Sequence, residues 1–362
     1  MNKDIVIDRS IVKQLVKDKF ALTGLIILII MYLSITFADF FAVYPKDFSD
    51  RHISYVPPSQ VFVIDTQGKL SWPYTYGYQR TFNPQNFRMD YKLDRSQKYY
   101  LHFFTKGFEY KLLGVIPSNI HLIGVDKQGR LFLLGADING RDNFSRLLYG
   151  GRVSLTIGFL ALFISFPLGM LYGGIAGYYG GIVDTIMMRF AEAIMSIPSF
   201  YLLIILAAIL PSSMTSSQRF ALITVILALV GWAGFSRVVR GMVLSIKTLE
   251  FVESARSIGA SSLRIIAKHI LPQTASYVVI ALTLSVPGYI LAESGLSFLG
   301  LGIQQPDASW GNMLKEAQEY INILYRPWLL TPGFLIFIAV LSFNLVGDAI
   351  RDILDPKSMM RS

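Results

Sequence analysis

The chain contains no cysteine, which excludes disulfides and thiolate metal sites and leaves its redox compartment open. It has only four histidines and neither an H-E-x-x-H nor a G-x-S-x-G run, so neither hydrolase chemistry is indicated. No G-x-x-x-x-G-K-[ST] occurs, so the chain has no P-loop with which to hold ATP. Charge is also scarce, at 16% of residues against the roughly one quarter usual in soluble domains. The net charge of +9 comes without a basic stripe interleaved with stacking aromatics, so a nucleic-acid surface is not indicated. These absences describe a conduit, not a catalyst.

Apolar sequence is abundant, at 53% of 362 residues. Six windows carry no Asp, Glu, Lys or Arg: Phe20–Ala38, Val153–Val183, Ala193–Gln218, Phe220–Ser236, Ile270–Ala292 and Pro327–Gly347. Crossing the hydrocarbon takes roughly 20 apolar residues in a helix. One such window could be a buried core helix, but six predict an all-α polytopic membrane protein with six spans. The first is too long for a signal-peptide core and lacks a small-x-small cleavage site, so it reads as a retained helix over 20–38.

Lys3, Arg9, Lys13, Lys17 and Lys19 place the tail over 1–19 in the cytoplasm by the positive-inside rule, and Arg351, Lys357 and Arg361 place the tail over 351–362 there too. Arg237, Arg240, Lys247, Arg256, Arg264 and Lys268 put the connection after the fourth span on the same side. Arg141, Arg146 and Arg152 dissent, but they follow a long loop, and long loops translocate largely regardless of charge. That loop, 39–142, is rich in Tyr, Phe and Pro. Its short runs Val61–Ile64, Tyr99–Phe103 and Leu131–Leu134 are separated by turn signals at Asp65–Gly68 and Asp126–Gly129, predicting a small β-rich extracytoplasmic insert. The run Gly124–Arg130 is echoed by Gly135–Arg141, either as a repeated unit or as turn chemistry used twice.

Within the core, 143–350, the loop Leu249–Pro272 combines a short helix from Glu253 to Ile258, the small residues Ser254 and Ala255, and Gly259 as a stop. A second helix follows, capped by Ser261 or Ser262, carrying Leu263, Ile266 and Ile270 on one face and closed by Pro272. Chemistry alone leaves two readings, a docking element or an ordinary amphipathic connection.

The run from Glu253 through Ser254, Ala255 and Gly259 to Ile270-Leu-Pro272 resembles the EAA loop of bacterial ABC importer permeases, with Ser254 in place of the usual first alanine. The segments Gly135–Gly150 (with Asp137, Gly140, Arg141 and Asp142), Gly174–Gly181, Leu291–Gly302, Ser309–Met313 and Phe343–Asp348 resemble the peptide and nickel permease family, specifically the C-type subunit of dipeptide and oligopeptide transporters. The large outer insert departs from that subunit, so its role is not inherited. The resemblance implies a type I importer fold with six spans, in a bacterial inner membrane. It implies a B-type permease partner, two ABC ATPases holding ATP and Mg, an extracytoplasmic binding protein, and no cofactor in this chain. It also implies that Glu253, Ser254, Ala255, Gly259, Ile270 and Pro272 form the coupling contact, and that the solute is a peptide, or else a nickel chelate, glutathione or an oligosaccharide. A secondary transporter or a membrane-anchored receptor would need no such loop.

Several charges lie at or inside spans, where an unpaired one is costly. Arg189 stands within helical reach of Asp184 and Glu192, so a local ion pair competes with a pathway role. Glu293 follows a long apolar run beside Ala292, Ser294 and Gly295. It reads as a pathway or subunit-interface carboxylate, or as one snorkelling or hydrogen-bonded to a neighbour. Asp348 reads as an interfacial anchor, and Trp310, Gly311 and Asn312 as a short outer segment. Pro167, Pro198 and Pro287 predict kinks or breaks.

Overall fold

The computed structural model describes residues 14–65, 67–85, 88–126, 128–211 and 213–354. The basic residues Lys3, Arg9, Lys13, Lys357 and Arg361 lie outside them. Helix α1 (Lys19–Thr36) starts where the Asp18 carboxylate accepts hydrogen bonds from Phe20 N at 2.8 Å and Ala21 N at 3.2 Å, an N-cap that fixes the first turn. A single turn, α2 (Ala38–Phe41), follows. Helix α3 (Asn143–Tyr179) runs 37 residues through Pro167 and ends where Gly180 and Gly181 take φ of +67° and +54°. L side chains resist that left-handed backbone, so the glycine pair stops the helix.

The third apolar window is not one straight span. Helices α4 (Gly181–Met195) and α5 (Ser199–Ala208) meet at 78° across a break that ends in Pro198. Helix α6 (Ser216–Ile246) opens with a capping box between Thr215 and Gln218. Then come α7 (Glu250–Ser257), α8 (Ser262–Ile265), a π turn over Ile266–Ile270 and a 3₁₀ turn over Leu271–Thr274. Helix α9 (Ala275–Phe298) contains Pro287, and α10 (Trp310–Leu314), α11 (Tyr320–Tyr325) and α12 (Thr331–Leu354) complete the chain. Among the described residues, five helices are long and apolar enough to cross a membrane, and the bent pair makes up to a sixth.

The segment before α3 forms one antiparallel sheet in the order β1 (Val61–Ile64), β2 (Leu70–Asn83), β3 (Arg88–Leu112), β4 (Ile116–Val125). The long β3 serves two partners, pairing up to Tyr100 with β2 and from Leu101 with β4. The run Leu131–Leu134 is not a strand. Leu131 and Phe132 are buried in irregular chain, and Phe132 joins Val56 and Ala136 under Tyr44 and Phe48, so its apolarity serves packing without pairing.

The echo between Gly124–Arg130 and Gly135–Arg141 is turn chemistry used twice: Gly129 N donates to Asp126 O at 2.7 Å and Gly140 N to Asp137 O at 3.0 Å, while the side chains serve different partners. Asp126 accepts from Tyr100 N on β3, whereas Asp137 accepts from Asn139 N and Arg141 N of its own loop, which turns on Gly140 at φ +69°.

The described residues fall into two compact units. One contains Leu155–Leu296 with the flanking parts of α1 and α12; the other contains Ile30–Ser154 and Ser297–Leu335. In the first, glycines govern the contact of α3 with α6. A Cβ on Gly173 would collide with Ser236 O, and one on Gly177 would stand 2.8 Å from Arg240 O. Gly169 faces the same helix, with Trp232 O 3.0 Å from where its Cβ would be. Three glycines at four-residue spacing thus let two backbones approach as in small-x-x-x-small packing of membrane helices.

Candidate functional site

The loop after α6 is built around one inward and one outward face. Lys247 caps α6 and donates its Nζ to Gly177 O at 2.8 Å and Tyr178 O at 3.2 Å, tying the loop's entry to the end of α3. On α7, Val252 and Ala255 are buried, while Glu253, Ser254 and Ser257 are exposed. Ser254 Oγ donates back to Glu250 O and Ser257 Oγ to Glu253 O, so both hydroxyls are turned onto the helix backbone and the outer face stays small. Arg256 pairs with Glu253 at 3.0 Å and lies 5.7 Å from the centre of the Tyr178 ring.

Gly259 follows at φ +80° with nothing within 4 Å of its missing Cβ. The left-handed backbone and not crowding makes glycine the residue there. The helix begins three residues earlier than expected, at Glu250.

The second half of the loop departs further. Pro272 does not end a helix. It sits in the 3₁₀ turn that joins the π turn to α9, and the chain stays helical from Ser262 to Phe298. Because the helix continues through it, the absent N–H of Pro272 leaves one backbone bond unmade, next to the π turn in which Leu271 N donates to Ile266 O. Leu263 does not share a face with Ile266 and Ile270: it is 64% exposed, whereas Ile265, Ile266, Ile270 and Leu271 are buried. Ser261 takes the extended N-cap conformation, but its side chain makes no capping hydrogen bond. Ile266 and Leu271 press on Gly174 of α3, whose Cβ would stand 3.1 Å from Ile266 and 3.4 Å from Leu271. Each buried aliphatic side chain contributes about 1.5–3 kcal/mol. The half-exposed Arg256–Glu253 pair contributes under about 1 kcal/mol. Apolar packing therefore anchors the loop to α3, and the charged face is left for something else.

Of the two local partners open to Arg189, Glu192 takes it and Asp184 pairs elsewhere. Asp184 does not pair with Arg189; Arg240 of α6 donates Nε to its Oδ1 at 2.9 Å and Nη2 to its Oδ2. Arg189 pairs instead with Glu192 at 2.9 Å, on the exposed side of α4. Glu293 is fully buried, with Ser294 Oγ 3.4 Å from its Oε2, so it does not snorkel to a surface. Asp348 is exposed on α12.

A second polar centre precedes α3. Asp137 holds Arg141 Nε at 2.6 Å and Arg146 Nε at 3.6 Å, all three buried, and Arg152 binds Asp39 at 2.6 Å. Each of the three arginines that dissented from the basic-side pattern thus has a carboxylate partner within the fold, with Arg141 and Arg146 sharing Asp137. Asp142 caps α3 by accepting from Ser145 N at 2.7 Å and Ser145 Oγ at 2.6 Å. Burial pushes its carboxyl up to about 7, against those two hydrogen bonds. Trp310 is also buried, its Nε1 donating to Leu147 O at 3.0 Å. Among the described residues no group of three His, Asp or Glu side chains forms a metal site.

Residues 167–359 match the family described as binding-protein-dependent transport system inner membrane component, and residues 9–58 match the N-terminal TM domain of oligopeptide transport permease C. The chain is 44% identical over 225 residues to the dipeptide transport system permease protein DppC of Bacillus subtilis, covering 62% of this chain and 68% of that one. It is 42% identical to the oligopeptide transport system permease protein OppC of Haemophilus influenzae, covering 62% and 70%. It is 38% identical to the glutathione transport system permease protein GsiD of Pectobacterium atrosepticum, covering 69% and 77%. Among solved structures, the inward-facing MetNI methionine ABC transporter aligns with a TM-score of 0.41 at 20% identity, over 58% of this chain and 93% of that chain. The chain therefore belongs to the binding-protein-dependent transport system inner membrane component family, as a membrane permease subunit.

Proposed function

We propose that this permease imports peptides across a bacterial inner membrane, driven by ABC ATPases that bind ATP and Mg and dock on the loop Leu249–Pro272. The observation that carries the reading is the two-sided build of that loop: a small, exposed face at Glu253, Ser254 and Gly259, backed by Ile266 and Leu271 seated on Gly174 of a spanning helix. A push on the outer face would reach α3 through packed side chains, as coupling of a ligand state to a two-state element requires. Ala255 and Ile270 are buried and belong to the backing, whereas Pro272 is exposed beside it. In this reading the termini and the loop are cytoplasmic, the sheet faces outward, a B-type permease completes the channel and a binding protein delivers solute. Peptides are favoured because the named relatives carry dipeptides, oligopeptides and glutathione.

Affinity purification on this chain, co-expressed with its neighbouring transport genes, tests the reading. Two P-loop ATPases and a second permease should co-purify, and peptide with its binding protein should stimulate ATP hydrolysis in proteoliposomes. Uptake by this chain alone, driven by an ion gradient, would overturn it.

A further inference from the structure

The connection between β3 and β4 is chemically odd for a turn in water. Leu113, Val115 and Ile116 are 56%, 76% and 57% exposed. Leu113 adopts φ +53° and Gly114 φ +76°. Turn positions with positive φ usually take Gly, Asn or Asp, whose steric or hydrogen-bonding properties suit that backbone. A leucine there has neither the backbone preference nor burial to explain it, and sparsely populated backbone of this kind is a pointer to function.

The stem of the hairpin is rooted beside the ends of two spanning helices. Phe108 packs on Ala38, Ala42 and Tyr149, and the rings of Phe40 and Phe104 lie 6.2 Å apart. Arg152 donates to Ile35 O at 2.7 Å and to Asp39 at 2.6 Å, binding α3 to the end of α1 at the same level. Apolar residues Ile30 and Leu33 of α1 are exposed just below. From Phe108 to Leu113 the strand spans at most about 17 Å at roughly 3.3 Å per residue, so the apex lies no farther than that from the ends of the two spanning helices. Lys106 and Lys111 are exposed along the stem with Glu109 exposed between them, leaving the stem net basic by one charge, and the Tyr110 hydroxyl donates to Ile120 O.

We propose that the hairpin apex, Leu112 to Ile116, seats in the headgroup layer of the membrane that the helices span, with Lys106 and Lys111 reaching lipid phosphates. Aliphatic tips flanked by lysines suit that layer, where apolar stems bury and ammonium groups stay wet. A stable protein interface needs about 800 Å² per partner, far more than three aliphatic side chains supply. The inference depends only on the chain spanning a membrane, not on its solute or on which side the sheet faces.

Because the chain has no cysteine, single reporters can be placed in the full-length protein. Val115→Cys carries an environment-sensitive fluorophore in nanodiscs of zwitterionic and anionic phospholipid, with Ile116→Cys as a second reporter should the first fail to insert. Leu70→Cys, 89% exposed at the start of β2, is the control. Spin-labelled lipid should quench most of the apex fluorescence and leave the Leu70→Cys label bright, while aqueous iodide does the reverse. Iodide quenching of apex and control alike would overturn the proposal. Protection of the apex label only after a partner permease or binding protein is added would overturn it in favour of a protein contact.

Discussion

Arg240 of α6 grips Asp184 of α4 through two nitrogens, across 56 positions of sequence, and joins two helices within the membrane-spanning unit. Asp184 keeps 11% side-chain exposure and Arg240 keeps 34%. Losing either partner strands the other, but the arginine can rehydrate and the carboxylate cannot. Arg240→Ala should therefore lower thermal stability in nanodiscs more than Asp184→Ala, by on the order of 3 kcal/mol against a smaller loss. Equal losses would show that the pair is not the buried element inferred here.

Close contact between α3 and α6 makes a second expectation. Gly173→Ala brings a methyl group into Ser236 O and should destabilise the protein by about 1–3 kcal/mol, the range for overpacking. Gly241→Ala, with nothing within 4 Å, should cause no loss in the same unfolding measurement and gain up to about 1 kcal/mol from helix propensity.

The loop glycine behaves differently, because its constraint is torsional. Gly259→Val should leave membrane insertion intact and abolish transport, while Gly259→Asn should retain much of it, since asparagine tolerates the left-handed region that costs other residues about 1–2 kcal/mol. Equal transport by both variants, measured as peptide uptake with the complete importer, would remove the role given to that turn.

What could be read beforehand divides along physical lines. The absence of charge located the spans, because desolvation acts on composition alone. It could not see the bend between α4 and α5, for which Pro198 was the local signal. The short helix, Gly259 and the exposed Glu253–Ser254 face were legible from capping and turn chemistry. Nearness in sequence offers Arg189 two partners: Glu192, three positions on, takes it, whereas five positions turn roughly 140° around a helix, so Asp184 points away and finds its partner on α6. The spacing of Gly169, Gly173 and Gly177 is a small-residue stripe in the sequence, but that α6 fills it comes only from tertiary structure. Pro272 misled because a proline that ends an α-helix also fits the first residues of a 3₁₀ turn.

Proton uptake gives a fourth expectation. Burial raises Asp142 and Glu316 each to about 7, with Asp137 adding repulsion in both cases. Both are raised above the usual carboxylate value of about 4, so the folded protein holds extra protons in that window. Their stabilising contribution is full below about pH 4 and is lost as pH rises toward 7. Thermal unfolding of the Asp142→Asn variant should show a shallower decline over that range, and adding Glu316→Gln should flatten it further. An unchanged slope in the double variant would contradict the assignment.

A single cysteine at Ser254, exposed on α7 in a chain that otherwise has none, offers the sharpest probe of the coupling loop. With the assembled importer in membranes, a short bifunctional cross-linker from Ser254→Cys should capture an ATPase subunit, with a yield that changes on addition of ATP. Ile138→Cys, exposed in the loop before α3, should capture none. Capture of the ATPase from Ile138→Cys, or its absence from Ser254→Cys in a complex that still hydrolyses ATP in response to peptide, would contradict the account.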